Sequence, residues 1–190
     1  MLPPLSLQTP RLVLHPFTAA DFEIFYATCV LDPTVMAFYH AYRAPLTDTE
    51  RRARAKRDFL DHFTQGHASH DYVCWALTSG PALPPPVGTF VGWCGLLTPA
   101  LDHGRWGPEL AYMLARRWHG LGLGTEAGAG VLADAWLRYQ LPRLHAVVDS
   151  PNLASRRVLD RLGFQLQGPV EVYGDSDMML YTISAPTGVA

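Results

Sequence analysis

Three glycines at alternate positions, Gly120, Gly122 and Gly124, stand between an apolar run and a helix-forming one. Glycine lets the backbone come close to a ligand and aim several N–H groups at one point. At a helix N-terminus those groups have no intrahelical acceptor and lie at the positive end of the dipole, so the turn is a natural seat for a phosphate. The run before it, Leu110 to Ala115, reads as a strand, and the helix after it spans about Thr125 to Tyr139. Gly128 and Gly130 inside that helix cost stability, which close packing on a sheet would offset. A P-loop needs a lysine after its glycines, and none is present. Gly122-x-Gly124-x-x-Ala127 matches a dinucleotide fingerprint. Against that reading, Arg116, Arg117, Trp118 and His119 intervene after the strand, and only about sixty residues remain downstream, too few for a doubly wound sheet.

Other chemistry-bearing groups are sparse. His62, His67 and His70 lack the spacing or the cysteine partners of a metal site, so no metal is expected. Cys29, Cys74 and Cys94 are far apart and odd in number, and read as reduced, buried thiols of a cytoplasmic protein. Arg51, Arg52, Arg54, Lys56 and Arg57 cluster on one helix, either to meet an acidic partner or as a solvated face. The chain has 190 residues, 48% hydrophobic and 17% charged, with a net charge of −2. That suits one domain with an ample core, disfavours wholesale disorder, and points to neither nucleic acid nor a membrane as partner. The N-terminus, MLPPLSLQTPRLVLHPF, does not read as a signal peptide.

The elements that would position the glycine turn follow from periodicity. Arg11 to His15 is a short strand, and Thr18-x-x-Asp21 opens a helix whose Phe22, Phe25, Tyr26 and Cys29 share one face. Residues 31–46 form an irregular lobe in which Tyr39, His40, Tyr42 and Arg43 could line a substrate cleft or simply pack locally. Thr47-x-x-Glu50 caps a helix to about Thr64, with Phe59, Leu60 and Phe63 inward. Tyr72 to Leu77 and Val87 to Leu97 pair as a hairpin with a long connection, and TPALDHGRWG is a loop. Arg143 to Val148 reads as a central strand. Ser150-Pro151 looks like a helix cap followed by proline in the first turn, with the helix stopping at Gly163. Phe164 to Gln167 and Met178 to Ile183 are the last strands, joined around Tyr173-Gly174-Asp175, and residues 184–190 form a tail. The whole reads as a single domain over 1–190, with a core of about 9–183.

Arg117, Gly120 and Gly122 make R-x-x-G-x-G between strand and helix, which resembles motif A of the GNAT superfamily of acyl-CoA-dependent N-acyltransferases. WHGLGLGTEA is similar to the family's longer form, with His119 where tryptophan and Gly124 where alanine are usual. TPRLVLHPFTAAD resembles the family's opening, with His15 where arginine is usual. VGTFVGWCGL resembles its third strand, NLASRRVLDRLGF its next helix and strand, and YGDSDMMLYTIS its closing hairpin. The resemblance spans about Thr9 to Ile183 and points to the branch that includes the ribosomal-protein alanine acetyltransferases. It implies an α+β fold: a mixed, mostly antiparallel twisted sheet of about seven strands, flanked by helices. That sheet would be splayed between the strand ending at Ala115 and the one ending near Val148.

The resemblance also implies a ligand, acetyl-CoA, and roles. Gly120, Leu121, Gly122, Leu123, Gly124 and Thr125, with Arg117 and His119 beside them, would hold the coenzyme A pyrophosphate. Met113, Leu114 and Ala115 would pair with the pantetheine arm, and an N–H near Met113 or Leu114 would face the developing oxyanion. Asn152 and Ser155 match cofactor-contacting positions, with helix capping as the alternative. Glu109 is the candidate base, with a surface glutamate at a strand end as the alternative. Ser155 matches this branch's candidate acid for the leaving thiolate; Leu159 stands where other branches carry a tyrosine, so that version does not transfer. The acceptor, a small amine or a peptide N-terminus, would meet Tyr39, His40, Tyr42 and Tyr173. A homodimer is left open. The alternative function is a non-catalytic acyl-CoA sensor or interaction module on the same fold.

Overall fold

The computed structural model describes residues 5–39, 42, 45–64, 73–97, 101 and 103–187. One eight-stranded sheet organises the described residues. Its strands are β1 (Leu7–Gln8), β2 (Leu12–Pro16), β3 (Cys74–Ser79), β4 (Phe90–Leu97), β5 (Glu109–Leu114), β6 (Arg143–Asp149), β7 (Gln165–Val172) and β8 (Asp175–Ser184). They lie in the order β1-β2-β3-β4-β5-β6-β8-β7. Every pairing is antiparallel except β5 with β6. The strand beyond the expected seven is β1, two residues that fold back on β2 and are too short for a periodicity signal.

Helical segments cover both faces. On one side lie α1 (Phe22–Phe25), running on as a π-turn at Tyr26–Val30, and α2 (Asp48–Phe59), running on as a π-turn at Leu60–Thr64. Phe17, Phe22, Phe25, Phe59 and Phe63 interlock there, with ring centroids 4.7–5.7 Å apart, a separation at which edge and stacked contacts are attractive. A short helix, α3 (His103–Trp106), occupies the segment expected to be loop. On the other side lie α4 (Leu123–Leu137) and α5 (Leu153–Leu162).

Local hydrogen bonds and backbone conformation set the helix ends. Thr47 and Glu50 form a reciprocal capping box on α2. Thr18 and Asp21 form a second box, in which the Asp21 carboxylate accepts from the Thr18 N–H at 2.7 Å and from the Thr18 hydroxyl at 2.8 Å. The cap of α5 is Asn152, not Ser150, because the Asn152 Oδ1 reaches the Ser155 N–H at 3.1 Å. Helix α4 begins two residues before Thr125, at Leu123, because Gly122 takes the left-handed conformation (φ +76°) that serves as its N-cap. Gly128 packs on a helix rather than on the sheet: a Cβ there would sit 2.6 Å from Leu162 of α5. The C-terminal tail starts later than expected, since Ser184 ends β8 and the Ala185 N–H still donates to the Pro142 carbonyl. Cys29, Cys74 and Cys94 are free and buried. Among the described residues no helix is long and apolar enough to cross a membrane.

Candidate active site

Strand β5 is where the sheet divides. It pairs with β4 along its whole length, from Leu97↔Glu109 to Gly92↔Leu114. With β6 it pairs in parallel at one position, Glu109↔His145, beside a bond from the His145 N–H to the Pro108 carbonyl. Beyond that point the strands part, and Ala111 to Leu114 are only half-buried. The Ala115 N–H donates to Val91 of β4 (2.9 Å). The two-residue period of a ladder therefore turns the backbone groups of Met113 and Ala111 towards β4 as well, and those of Tyr112 and Leu114 towards the gap. Of Met113, Leu114 and Ala115, only Leu114 turns its backbone groups to the gap. Met113 serves the β4 ladder, and the Ala115 carbonyl accepts from the Trp118 N–H. The Leu114 carbonyl accepts from His119 Nε2 at 2.8 Å, which ties the half-turn that follows to the end of the strand.

Side chains of β5 alternate between two environments. Met113 faces α1 and α2, lining with Trp93, Tyr39, Tyr42 and Asp58 a cavity of about 20 Å³, the size of one water. Leu114 and Tyr112 face α4 and α5. Tyr112 Oη lies 2.7 Å from Ser155 Oγ and donates to the Ser155 carbonyl at 3.1 Å, which ties the strand to the first turn of α5. Burial raises the Tyr112 phenol well above its ordinary range, so it holds its proton.

Glu109 sits at the closed end of the gap and is 5% exposed, not a surface glutamate. Tyr173 donates to its Oε2 at 2.5 Å, and His145 Nε2 lies 3.8 Å from the same oxygen. His145 is fully buried, with Nδ1 donating to the Gly107 carbonyl at 2.9 Å. Burial pushes the Glu109 carboxyl up from 4.5 to about 7, against the Tyr173 hydrogen bond, which pulls it down. A carboxyl in that range can take and release a proton near neutrality. Tyr39 is held up at about 12, by burial first and then by the charges of Asp58 and Glu109. Its ring lies 5.5 Å from that of Tyr42, whose hydroxyl donates to Asp58 at 3.0 Å. His40 and Arg43, expected beside them, lie outside the described residues, as do His67 and His70.

At the other end of the gap the glycine turn leads into α4. Gly120 and Gly122 both have positive φ, +77° and +76°. The first bond of the helix ladder runs from the Glu126 N–H to the Gly122 carbonyl, and no N–H from Gly120 to Thr125 donates to an acceptor among the described residues. A Cβ at Gly120 would meet nothing within 4 Å, so the turn opens outward. Leu121 is exposed, whereas Leu123 is fully buried and contributes backbone alone. Arg117 is exposed, its guanidinium over the Trp118 ring at 4.5 Å. A row of unbonded N–H groups at a helix N-terminus with open space above it fits a pyrophosphate.

Arg11 and Glu126 carry more of this site than the sequence reading assigned. Glu126 Oε1 accepts from the Thr9 hydroxyl (2.6 Å) and the Arg11 N–H (2.7 Å), and Oε2 accepts from Arg11 Nε (2.6 Å). Arg11 Nη1 also donates to the Leu121 carbonyl at 2.9 Å. The signal was there in Thr9-x-Arg11 and Thr125-Glu126, but only the fold joins the two strings. The basic helix, by contrast, is partly spoken for. Arg52 pairs with Glu23 and lies over the Phe22 and Tyr26 rings, and Arg54 lies 3.9 Å from Asp58.

Residues 11–165 match the acetyltransferase (GNAT) domain family. The chain belongs to that family and is an acetyl-CoA-dependent acyltransferase. It is 25% identical to the YkkB protein of Bacillus subtilis over 158 residues, 83% of this chain and 84% of that one. Its fold matches an acetyltransferase from Agrobacterium tumefaciens with a TM-score of 0.76 at 21% identity, covering 97% of each chain. It also matches Mycobacterium smegmatis RimJ in complex with CoA-disulfide, with a TM-score of 0.67 at 22% identity, covering 96% of this chain and 87% of that one.

Proposed function

We propose that the chain N-acetylates a primary amine, a protein N-terminus or a small amine, by direct attack within a ternary complex. The observation that carries this reading is the Glu109 carboxyl, buried at the closed end of the β5–β6 gap and poised near pH 7. Bound acetyl-CoA would supply an acetyl carbonyl activated as a thioester.

The chain's own groups do the rest. The N–H groups of residues 120–125 hold the pyrophosphate, with the Arg11 cation close by. The backbone groups of Tyr112 and Leu114 facing the gap bind the pantetheine arm as an added strand would. Their N–H donors are aimed where negative charge develops on the acyl oxygen, a preorganised dipole that needs no rearrangement during reaction. An amine attacks only when unprotonated, and Glu109 takes its proton. Ser155, hydrogen-bonded to Tyr112, holds a proton on the opposite face of the strand for the departing thiolate. Tyr112 thus brings to the site the phenol that Leu159, buried at 1% exposure, does not provide. Tyr39, Tyr42 and Tyr173 surround the acceptor's approach to Glu109, an aromatic mouth suited to a peptide end or a flexible amine.

The test is to mix the protein with acetyl-CoA and a panel of amines and peptides, following free thiol and acceptor mass. Acetylation of at least one primary amine, lost in Glu109→Gln, is expected. Failure to bind acetyl-CoA at micromolar concentration would refute the reading, and full activity in Glu109→Gln would remove the base from it.

A further inference from the structure

The β7–β8 turn sets local preference against sequence. Its central residues, Tyr173 and Gly174, have φ of +56° and +74°, between the paired Val172 and Asp175. Two positive φ values in a two-residue hairpin turn call for Asn-Gly, Asp-Gly or Gly-Gly. Glycine takes such a conformation freely, and a tyrosine does so only under strain. Strain of this kind persists where the surroundings or the function hold it, and it gathers at active sites. Packing does not account for it, because Tyr173 is 50% exposed. What the side chain does is cross from the hairpin to β5 and donate to Glu109 Oε2 at 2.5 Å, over a sequence separation of 64 residues.

Three titratable groups face that carboxyl from the elements around it: Tyr173 from the β7–β8 turn, His145 from β6, and Tyr39 from the segment following α1. Tyr173 and His145 both sit at Oε2. Among the described residues Tyr173 supplies the only hydrogen bond to the carboxyl.

We propose that Tyr173 is the positioning residue of the base: its phenol, carried on a strained turn, pins Glu109 Oε2 and so presents Oε1 to the acceptor amine. The proposal rests on the reading of Glu109 as base. It gives Tyr173 a role beyond lining the acceptor's approach, and it explains why the turn keeps a residue its geometry disfavours.

Two variants test it, Tyr173→Phe, which removes only the hydroxyl, and Tyr173→Asn, which also suits the turn. The first measurement is a carbon-13 NMR titration of the Glu109 carboxyl in acceptor-free protein. The wild-type signal is expected to titrate near pH 7 and to move to higher pH in both variants, since the lost O–H had favoured the carboxylate. The second is melting: Tyr173→Asn should melt about 2–4 °C higher than Tyr173→Phe, since both lose the hydroxyl and only asparagine suits the turn. The third uses acetyl-CoA and the fastest amine of the panel. There kcat should fall about tenfold in both variants, with the acid limb of the pH–rate profile displaced upward and KM for acetyl-CoA unchanged. A Glu109 titration that does not move in Tyr173→Phe, or a Tyr173→Asn variant as active as wild type, overturns the proposal. If Glu109→Gln is inactive while the acid limb of Tyr173→Phe stays in place, only the role of Tyr173 falls. If Glu109→Gln is fully active, the base reading falls and the proposal with it.

Discussion

Glu109 carries opposite consequences for stability and for chemistry. Burial raises its carboxyl from 4.5 to about 7 in the folded chain, so between those values the folded state binds more protons than the unfolded one. Stability linked to this group is therefore fully present below about pH 4.5 and is lost as pH rises through about 7. Glu109→Gln, which keeps an amide oxygen for Tyr173 but cannot ionise, should abolish that slope. At pH 8 it should be more stable than wild type by up to about 3 kcal/mol. Thermal melting between pH 4 and pH 8 checks this (the range brackets both ends of the window), and parallel curves for the two proteins would contradict it. The residue was legible as a glutamate at a strand start, but its burial was not, because burial depends on His145 and Tyr173 arriving from 36 and 64 residues away. The role of Tyr112 is hidden in the sequence for a related reason. Within the run LAYMLA it reads as one more core aromatic, and only the packing of α5 brings Ser155 within 2.7 Å of it.

At the scale of elements, the first turn of α4 depends on the turn between β1 and β2. Thr9 and Arg11 converge on Glu126 with three hydrogen bonds, and Arg11 holds the Leu121 carbonyl as well. Partial burial would raise the Glu126 carboxyl, but the bonds from Thr9 and Arg11 outweigh it and hold the group below its usual value. Its contribution is present above the unfolded carboxylate range and fades as pH falls through the folded value. Glu126→Gln should cost about 2 kcal/mol of stability at neutral pH. It should also weaken acetyl-CoA binding by loosening the glycine turn, and should lose less on acidification than wild type. Calorimetric titration with acetyl-CoA beside thermal melting reads both effects. An unchanged Kd would show that the clamp serves the fold alone. The glycine turn itself was legible, because a positive φ and a missing Cβ are properties of single residues. Its clamp was not, because 115 residues separate Arg11 from Glu126.

At the scale of the molecule, the sheet separates two kinds of work. Helices α4 and α5 pack on the face that carries Tyr112 and Leu114, and α1 and α2 pack on the face that carries Met113 and the approach to Glu109. The second face is held by interlocked phenylalanine rings around Phe59, which is 1% exposed and touches the rings of Phe17, Phe22, Phe25 and Phe63. Phe59→Ala should cost about 3–5 kcal/mol. Because the loss is on the acceptor side, acetyl-CoA affinity should survive better than turnover in whatever fraction stays folded. Denaturant unfolding gives the first number and ligand titration the second, and equal losses on both sides would contradict the division.

By itself the sequence determined what short-range physics can write: the phosphate-seating turn, the capping box on α2, the alternation of the strands, and a string of motifs long enough to indicate the family. Tertiary structure alone decided which backbone groups of β5 stay unpaired, since that follows from sheet register and from the parting of β5 and β6 after Glu109↔His145. It likewise decided that Asn152 caps α5, that Tyr112 meets Ser155, and that a strained Tyr173 reaches Glu109. These are contacts between elements far apart in the chain. Nothing in the spacing of residues along one element encodes where another will cross it.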